Sequence, residues 1–293
     1  IFLCVAFYEL LGICVAYKKQ PEVSNTTKKE TKNGSWNECS ENTERAVIIE
    51  KNPEALLQRV RLIKNAKKEI ILSTFAFQSD ESGKLILGAL HDAADRGVHI
   101  RLLVDGMESW IDMEGNPYFY GLSSHENVEI KLYNKANPLK PWKMMGRMHD
   151  KYLIADGKRY ILGGRNTYNY FLGDFPGHKN YDRDVLVVCD EPEKENSVNQ
   201  LLEYFETIWE QEDSGYFHDN KKLANRKSVK NAVLELQNGY QKYFEENKER
   251  ICDTDYTDET FETEKIALVS NPIHTGSKEP VVWYQLGELM KNA

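Results

Sequence analysis

Apolar and polar positions along the chain follow two periods, one helical and one of strands. Residues 55–68 (ALLQRVRLIKNAKK) put Leu56, Val60, Ile63 and Ala66 on one helical face, with charges opposite. Glu69–Phe77 (EIILSTFAF) is a short β-branched and aromatic run bounded by polar QSDESG, which predicts a strand. Lys84–Arg96 returns to helical spacing, and Gly97 stands where a C-terminal capping glycine belongs. Val98–Val104 predicts a second strand, ended by Asp105-Gly106, and Val128–Tyr133 a third. A strand–helix–strand crossover of this length implies parallel pairing and an α/β layer fold. Lys151–Ala155 and Arg159–Leu162 flank an Asp-Gly turn and predict a hairpin. Val185–Val188 is apolar throughout, which predicts a central strand. Residues 194–249 are mainly of helical pattern, Asp253–Glu264 is an acidic break, and Lys265–Val269 predicts the start of a further strand.

The two ends differ from this body. Residues 1–17 are apolar apart from Glu9, at the lower edge of a bilayer span, and the leading expectation is a membrane or signal anchor. A signal-peptide core and a buried helix are the alternatives; no small-residue cleavage site follows. Residues 18–45 carry few aliphatic side chains and predict a solvated linker. Ile1 in place of an initiator methionine points to a fragment or a processed product. At the other end, GELMKNA (287–293) echoes VRLIKNA (60–66), and Asn-Pro precedes each copy (Asn52-Pro53 and Asn271-Pro272). A repeat would make 265–293 the start of a second, truncated unit; chance likeness of two amphipathic helices is the alternative. The expected organisation is therefore an anchor over 1–17, a linker over 18–45, a first catalytic half over 46–192, a helical connection over 193–264, and a second half begun at 265–293.

Composition narrows the function. The chain has 293 residues, 41% hydrophobic and 29% charged, with a net charge of −8. That suits a folded protein and argues against a general nucleic-acid-coating one. Five cysteines without a CxxC pair argue against a zinc ribbon or a dense disulfide scaffold. Against the acidic total, Lys131 to Arg183 holds eleven Lys/Arg and four acids, a local balance of +7. A basic island in an acidic chain reads as a local anion site, or else as a solvated lysine-rich surface.

The anion-site reading is favoured by one constellation inside that island. His149, Lys151, Asp156, Gly163, Gly164 and Asn166 follow the spacing H-x-K-x4-D-x6-G-G-x-N. His149 and Lys151 lie two apart on an expected strand, so both point to one face. The glycines let backbone N–H groups approach an anion, and Asn166 adds an amide donor. An imidazole, an ammonium and several amides at one place suit phosphate transfer without a metal ligand set.

This signature resembles the phospholipase D superfamily, with every motif position filled. The likeness extends to AKKEIILSTFAF and DRGVHIRLLVDG, and GRMHDKYLIADGKRYILGGRN with YDRDVLVV is similar to bacterial cardiolipin synthases. It covers residues 46–190 well and 265–293 faintly. The resemblance implies an α-β-α sandwich with a mixed, largely parallel sheet, forming the first half of a pseudo-dimer. It implies a membrane-bound enzyme of phospholipid metabolism, a phosphatidyltransferase or hydrolase, with no cofactor and no metal. Two facing motifs would share one site: one histidine forms a phosphohistidine, and the other protonates the leaving alcohol. His149 takes the nucleophile role, with acid/base as its fallback. Lys151 and Asn166 would bind the non-bridging oxygens, and Asp156 would anchor the motif. Asp182 or Asp184 would orient the imidazole; Asp182 is favoured, because it stands just outside the apolar strand.

The departure is that only one such motif is present. None of His91, His99, His125, His178, His218 or His274 has lysine two positions on. Either a second motif lies beyond Ala293, or two copies of the chain pair. The chain alone is then expected to show little activity. The expected partners are a phospholipid substrate, a membrane and a second half, with nucleic acid disfavoured. A superfamily nuclease and a non-catalytic phosphate-binding module are the rival functions. Core packing or lipid contact is open for Trp142 with Met144 and Met145, and core packing or an acyl entry for Tyr168, Tyr170 and Phe171. Cys39, Cys189 and Cys252 would pair only in an oxidising compartment, and Cys189 reads better as a buried thiol. Asn25 and Asn33 head glycosylation sequons, and His125 and His218 read as surface residues.

Overall fold

The computed structural model describes residues 2–17, 21–34, 44–189, 196–218, 221–271, 273 and 279–292. Trp36, Cys39, Pro272, His274 and Ala293 lie outside them, as do Ser35 of the second sequon and parts of the expected linker.

Near the N-terminus are α1 (Phe2–Tyr17), α2 (Asn25–Asn33) and strand β1 (Glu44–Ile49). Next come α3 (Asn52–Asn65), β2 (Glu69–Thr74), α4 (Glu81–Asp95), β3 (His99–Asp105), α5 (Gly106–Asp112), α6 (Pro117–Ser123) and β4 (Val128–Tyr133). The hairpin is β5 (Tyr152–Ala155) and β6 (Arg159–Gly163), and β7 (Asp184–Cys189) follows it. The chain continues through α7 (Ser197–Trp209), β8 (Ser214–Tyr216), α8 (Lys227–Glu246), α9 (Lys248–Cys252), β9 (Phe261–Glu262) and α10 (Val281–Asn292).

Local chemistry sets these boundaries. Pro53 opens α3, where its missing N–H is no loss. The Asp80 carboxylate accepts from Gly83 N at 3.0 Å to cap α4. Gly97 follows α4 in the left-handed region, at φ 86°.

The strands form one sheet in the order β8-β4-β3-β2-β5-β6-β7-β1-β9. Successive residues of a strand face opposite sides. Ile70 and Leu72 of β2 join a core with α3, α4, α6 and α8, and Ile71 joins a second core with α7. The fold is therefore an α-β-α sandwich with a mixed sheet. The expected parallel pairing is confined to β2–β3 and β3–β4; the other described pairs are antiparallel. The parallel neighbours β2–β3 and β3–β4 are joined by helical crossovers, whereas β5 and β6 are joined by a tight turn and β7 returns antiparallel beside β6 after the loop of residues 164–183. β7 is an inner strand, as its apolar run implied.

The N-terminal anchor is not borne out. No helix among the described residues is long and apolar enough to cross a membrane. α1 has 16 residues, a length of about 24 Å at 1.5 Å per residue, against a hydrocarbon core of about 30 Å. It is seated on the protein instead: Tyr8 Oη donates to Leu139 O at 2.9 Å, and Gly12 lies so close to Pro141 that a Cβ would overlap its ring.

Two further expectations change. Within 18–45, α2 is a capped helix: Ser24 Oγ accepts from Thr27 N at 3.1 Å, and Thr27 and Thr31 are buried. Residues 265–269 make no strand and pair with neither edge of the sheet. They lie against α7 instead, with Leu268 N donating to Gln200 Oε1 at 2.8 Å, and Ile266 and Leu268 pack on the core beneath.

Candidate active site

The motif lies along the β5–β6 hairpin, and its residues separate into two groups. At the open end His149 is exposed, one residue ahead of Asp150, while Lys151 is only 5% exposed. Both precede β5 rather than lie within it, although Lys151 O still accepts from Gly163 N at 3.1 Å. The Lys151 ammonium donates to His149 O at 2.6 Å. Burial pushes its pKa down to about 8; the nearby Asp150 and Asp182 carboxylates oppose that shift.

Phe75, just past β2, organises this end and was not singled out as a site residue from sequence. Its ring meets the His149 imidazole edge-on at 4.6 Å between centroids. The Arg147 guanidinium lies 4.8 Å from the same ring, and the Lys151 ammonium 5.3 Å. Two cations and an imidazole around one aromatic ring form a cation–π cluster. Arg147 is in turn held by Asp105 at 2.7 Å and Glu108 at 2.9 Å. Asp105 Oδ2 also accepts from Met148 N at 3.1 Å, so the end of β3 fixes the residue before His149. The only sequence signal for Asp105 was its place at a strand's C-terminal end; Phe75 gave none beyond being aromatic.

Asn166 is buried in this neighbourhood. Its Oδ1 accepts from Ala76 N at 3.2 Å, while Thr167 N donates to Ala76 O and Gln78 N to Thr167 O. The amide is thereby oriented, with Nδ2 as the end able to donate to a ligand. A cavity of about 310 Å³ opens beside His149 and Asp150, closed on one side by Tyr204 and residues 268–271. The Tyr204 hydroxyl donates to Asp150 Oδ2 at 2.7 Å.

The other motif residues serve the fold. At the turn end, Asp156 adopts φ 54°. Its carboxylate accepts from the backbone N–H groups of Lys67, Lys68 and Glu69 at 2.8, 2.7 and 3.0 Å. It ties the hairpin to the start of β2. Gly163 and Gly164 do not offer their amides to an anion: Gly163 N donates to Lys151 O and Gly164 N to Arg183 O. Their small size matters instead, since a Cβ at Gly163 would overlap the Asp184 carboxylate, and one at Gly164 the Asp182 carboxylate.

The two acids of D-x-D separate cleanly. Asp184 is buried and bonded to Arg59 at 2.9 Å, with Arg165 at 3.3 Å, which makes it structural. Asp182 lies against Gly164, and its charge acts on Lys151. Arg165 points away from the site and donates to Ile49 O and Glu50 O. Phe171 is buried, with Tyr168 and Tyr170 packed on the same core. Trp142 is about half exposed.

Comparison with known proteins places the chain in a family. The family model described as the cardiolipin synthase, PLD-like domain matches residues 59–209. The chain belongs to that family, within the phospholipase D superfamily. An uncharacterized protein of Helicobacter pylori strain J99 is 31% identical over 212 residues, 67% of this chain and 39% of that protein. Cardiolipin synthase C of Escherichia coli K12 is 29% identical over 171 residues, 54% of this chain and 34% of that enzyme. The chain thus spans less than half the length of these curated relatives. Among solved structures, phosphatidylserine synthase of Haemophilus influenzae superposes with a TM-score of 0.50 at 16% identity, covering 84% of this chain and 52% of that one.

Proposed function

We propose that this chain provides one half of a site for phosphodiester transfer on phospholipids, through a phosphohistidine intermediate. The observation that carries the reading is the open end of the hairpin: an exposed imidazole beside a buried ammonium, with an oriented amide nearby. A ring nitrogen of His149 attacks phosphorus, a P–N bond forms, and the P–O bond to the leaving alcohol breaks. A second histidine protonates that alcohol, then removes the proton from the incoming alcohol or water, whose oxygen displaces His149. That histidine comes from a further half of a longer protein or from a second copy. Lys151 and Asn166 Nδ2 receive the non-bridging oxygens and stabilise charge developing there. Asp182, whose charge acts on Lys151, is assigned the carboxylate role of orienting the imidazole.

The test is turnover of phosphatidylglycerol vesicles by the chain and by its complete reading frame. Cardiolipin with released glycerol supports transfer, and phosphatidic acid with free headgroup supports hydrolysis. Cleavage of nucleic acid with no action on lipid overturns the reading in favour of a nuclease. Phosphate binding without turnover, unchanged in His149→Ala, overturns it in favour of a binding module.

A further inference from the structure

The loop leading into the motif, residues 135–147, carries Lys135, Lys140, Lys143 and Arg147 and no acid. Lys143 is bound to Asp213 and Arg147 to Asp105 and Glu108. Lys135 donates to Tyr216 O and its charge acts on Glu114, and Lys140 joins no ion pair among the described residues. Between these cations the loop exposes Leu139 (78%), with Trp142 and Met145 about half exposed, even with α1 seated on Pro141. The neighbouring helix α5 exposes Trp110 (68%) and Ile111 (66%). The two segments are contiguous: Trp110 and Ile111 line one cavity of about 660 Å³ with Lys135, Pro138 and Met144. Apolar side chains of this size, exposed together on a folded protein, mark a contact surface. The acids of this region are Glu108 and Asp112 of α5 and Glu114 on the cavity wall. Indole rings and aliphatic tips interleaved with the lysines of the loop are the composition that binds an anionic bilayer surface, the rings at headgroup depth and the cations on the phosphates. The patch also adjoins the site, because Arg147 closes the loop, pairs with Glu108 of α5, and lies on the ring that touches His149.

We propose that α5 and the 135–147 loop form a lipid-docking face. It lies on an anionic membrane surface and presents His149 at the level of the phosphates, with the cavity under α5 admitting an acyl chain. This rests on the phospholipid reading above and adds the surface by which the protein meets its substrate.

The experiment is sedimentation with vesicles of phosphatidylglycerol or of phosphatidylcholine, using the chain and the double variant Ile111→Ser, Leu139→Ser. The chain is expected to bind phosphatidylglycerol vesicles more tightly than phosphatidylcholine vesicles. The double variant should bind about tenfold more weakly, the scale of withdrawing two aliphatic side chains from a lipid interface. Its melting should be unchanged, since both residues are exposed. Equal binding by chain and variant, or no binding by the chain, overturns the docking face. Dispersed short-chain phosphatidylglycerol, given to the complete reading frame, separates the two claims. Turnover kept there by the double variant but lost on vesicles supports the face. No turnover by the parent protein, with vesicle binding intact, refutes the proposed chemistry and leaves the face standing.

Discussion

The two ends of the β5–β6 hairpin are separated by four residues of strand, yet the same motif uses them in opposite ways. At the turn end, Asp156 accepts three backbone N–H groups, and every one of those bonds holds structure. At the open end, Lys151 is withdrawn from water with a displaced pKa, and His149 stands exposed above an aromatic ring. An acid whose bonds are filled by the backbone can do no chemistry. A cation that burial has left under-solvated gains when a phosphate arrives. A single motif thus joins a clamp for the fold to the end proposed to receive a phosphate, and substitutions should separate the two.

The largest expected effect is at the open end. His149→Ala should lower phosphatidyl turnover by about 10³-fold or more, with melting unchanged because the side chain is exposed. The turn end should behave in the reverse way. Asp156→Ala leaves three N–H groups without their carboxylate and should cost about 2 kcal/mol of stability in denaturant titration. A stable Asp156→Ala protein that is nonetheless inactive would erase the distinction between the two ends. Phe75→Leu keeps the bulk beneath the imidazole but removes the aromatic face, and should lower turnover about tenfold. The smallest effect is on pH dependence. The Lys151 ammonium is the binding form and its pKa is about 8, so turnover should fall as pH rises through about 8. Lys151→Arg should keep its charge and lose that alkaline limb, which pH–rate profiles of parent and variant would reveal.

Much of the first half was legible because local rules and the global fold agree there. The period of α3, the crossover through α4 and the Asp-Gly hairpin each left their signal in neighbouring residues. That Asp184 begins the strand was legible from the apolar run after it, whereas its pairing with Arg59 and Arg165 in the core was not. What failed depended on distant partners. The antiparallel β1–β7 pairing joins segments 140 positions apart, which periodicity does not register. Residues 265–269 have strand-forming side chains but are taken up by contacts with α7 rather than by the sheet. The glycine amides looked available for an anion until Lys151 O and Arg183 O took them. α1 has the apolar composition expected of an anchor, yet no helix among the described residues is long and apolar enough to cross a membrane, and α1 rests on Leu139 and Pro141.

The central claim is that His149 becomes covalently bonded to phosphorus. The direct measurement is mass spectrometry of the peptide containing His149, after the complete reading frame is mixed with phosphatidylglycerol vesicles and quenched under conditions that preserve a P–N bond. The account predicts a phosphatidyl adduct on His149 that appears within one turnover and is absent from His149→Ala. Sustained lipid turnover by His149→Ala, with no adduct on the parent protein, would contradict it.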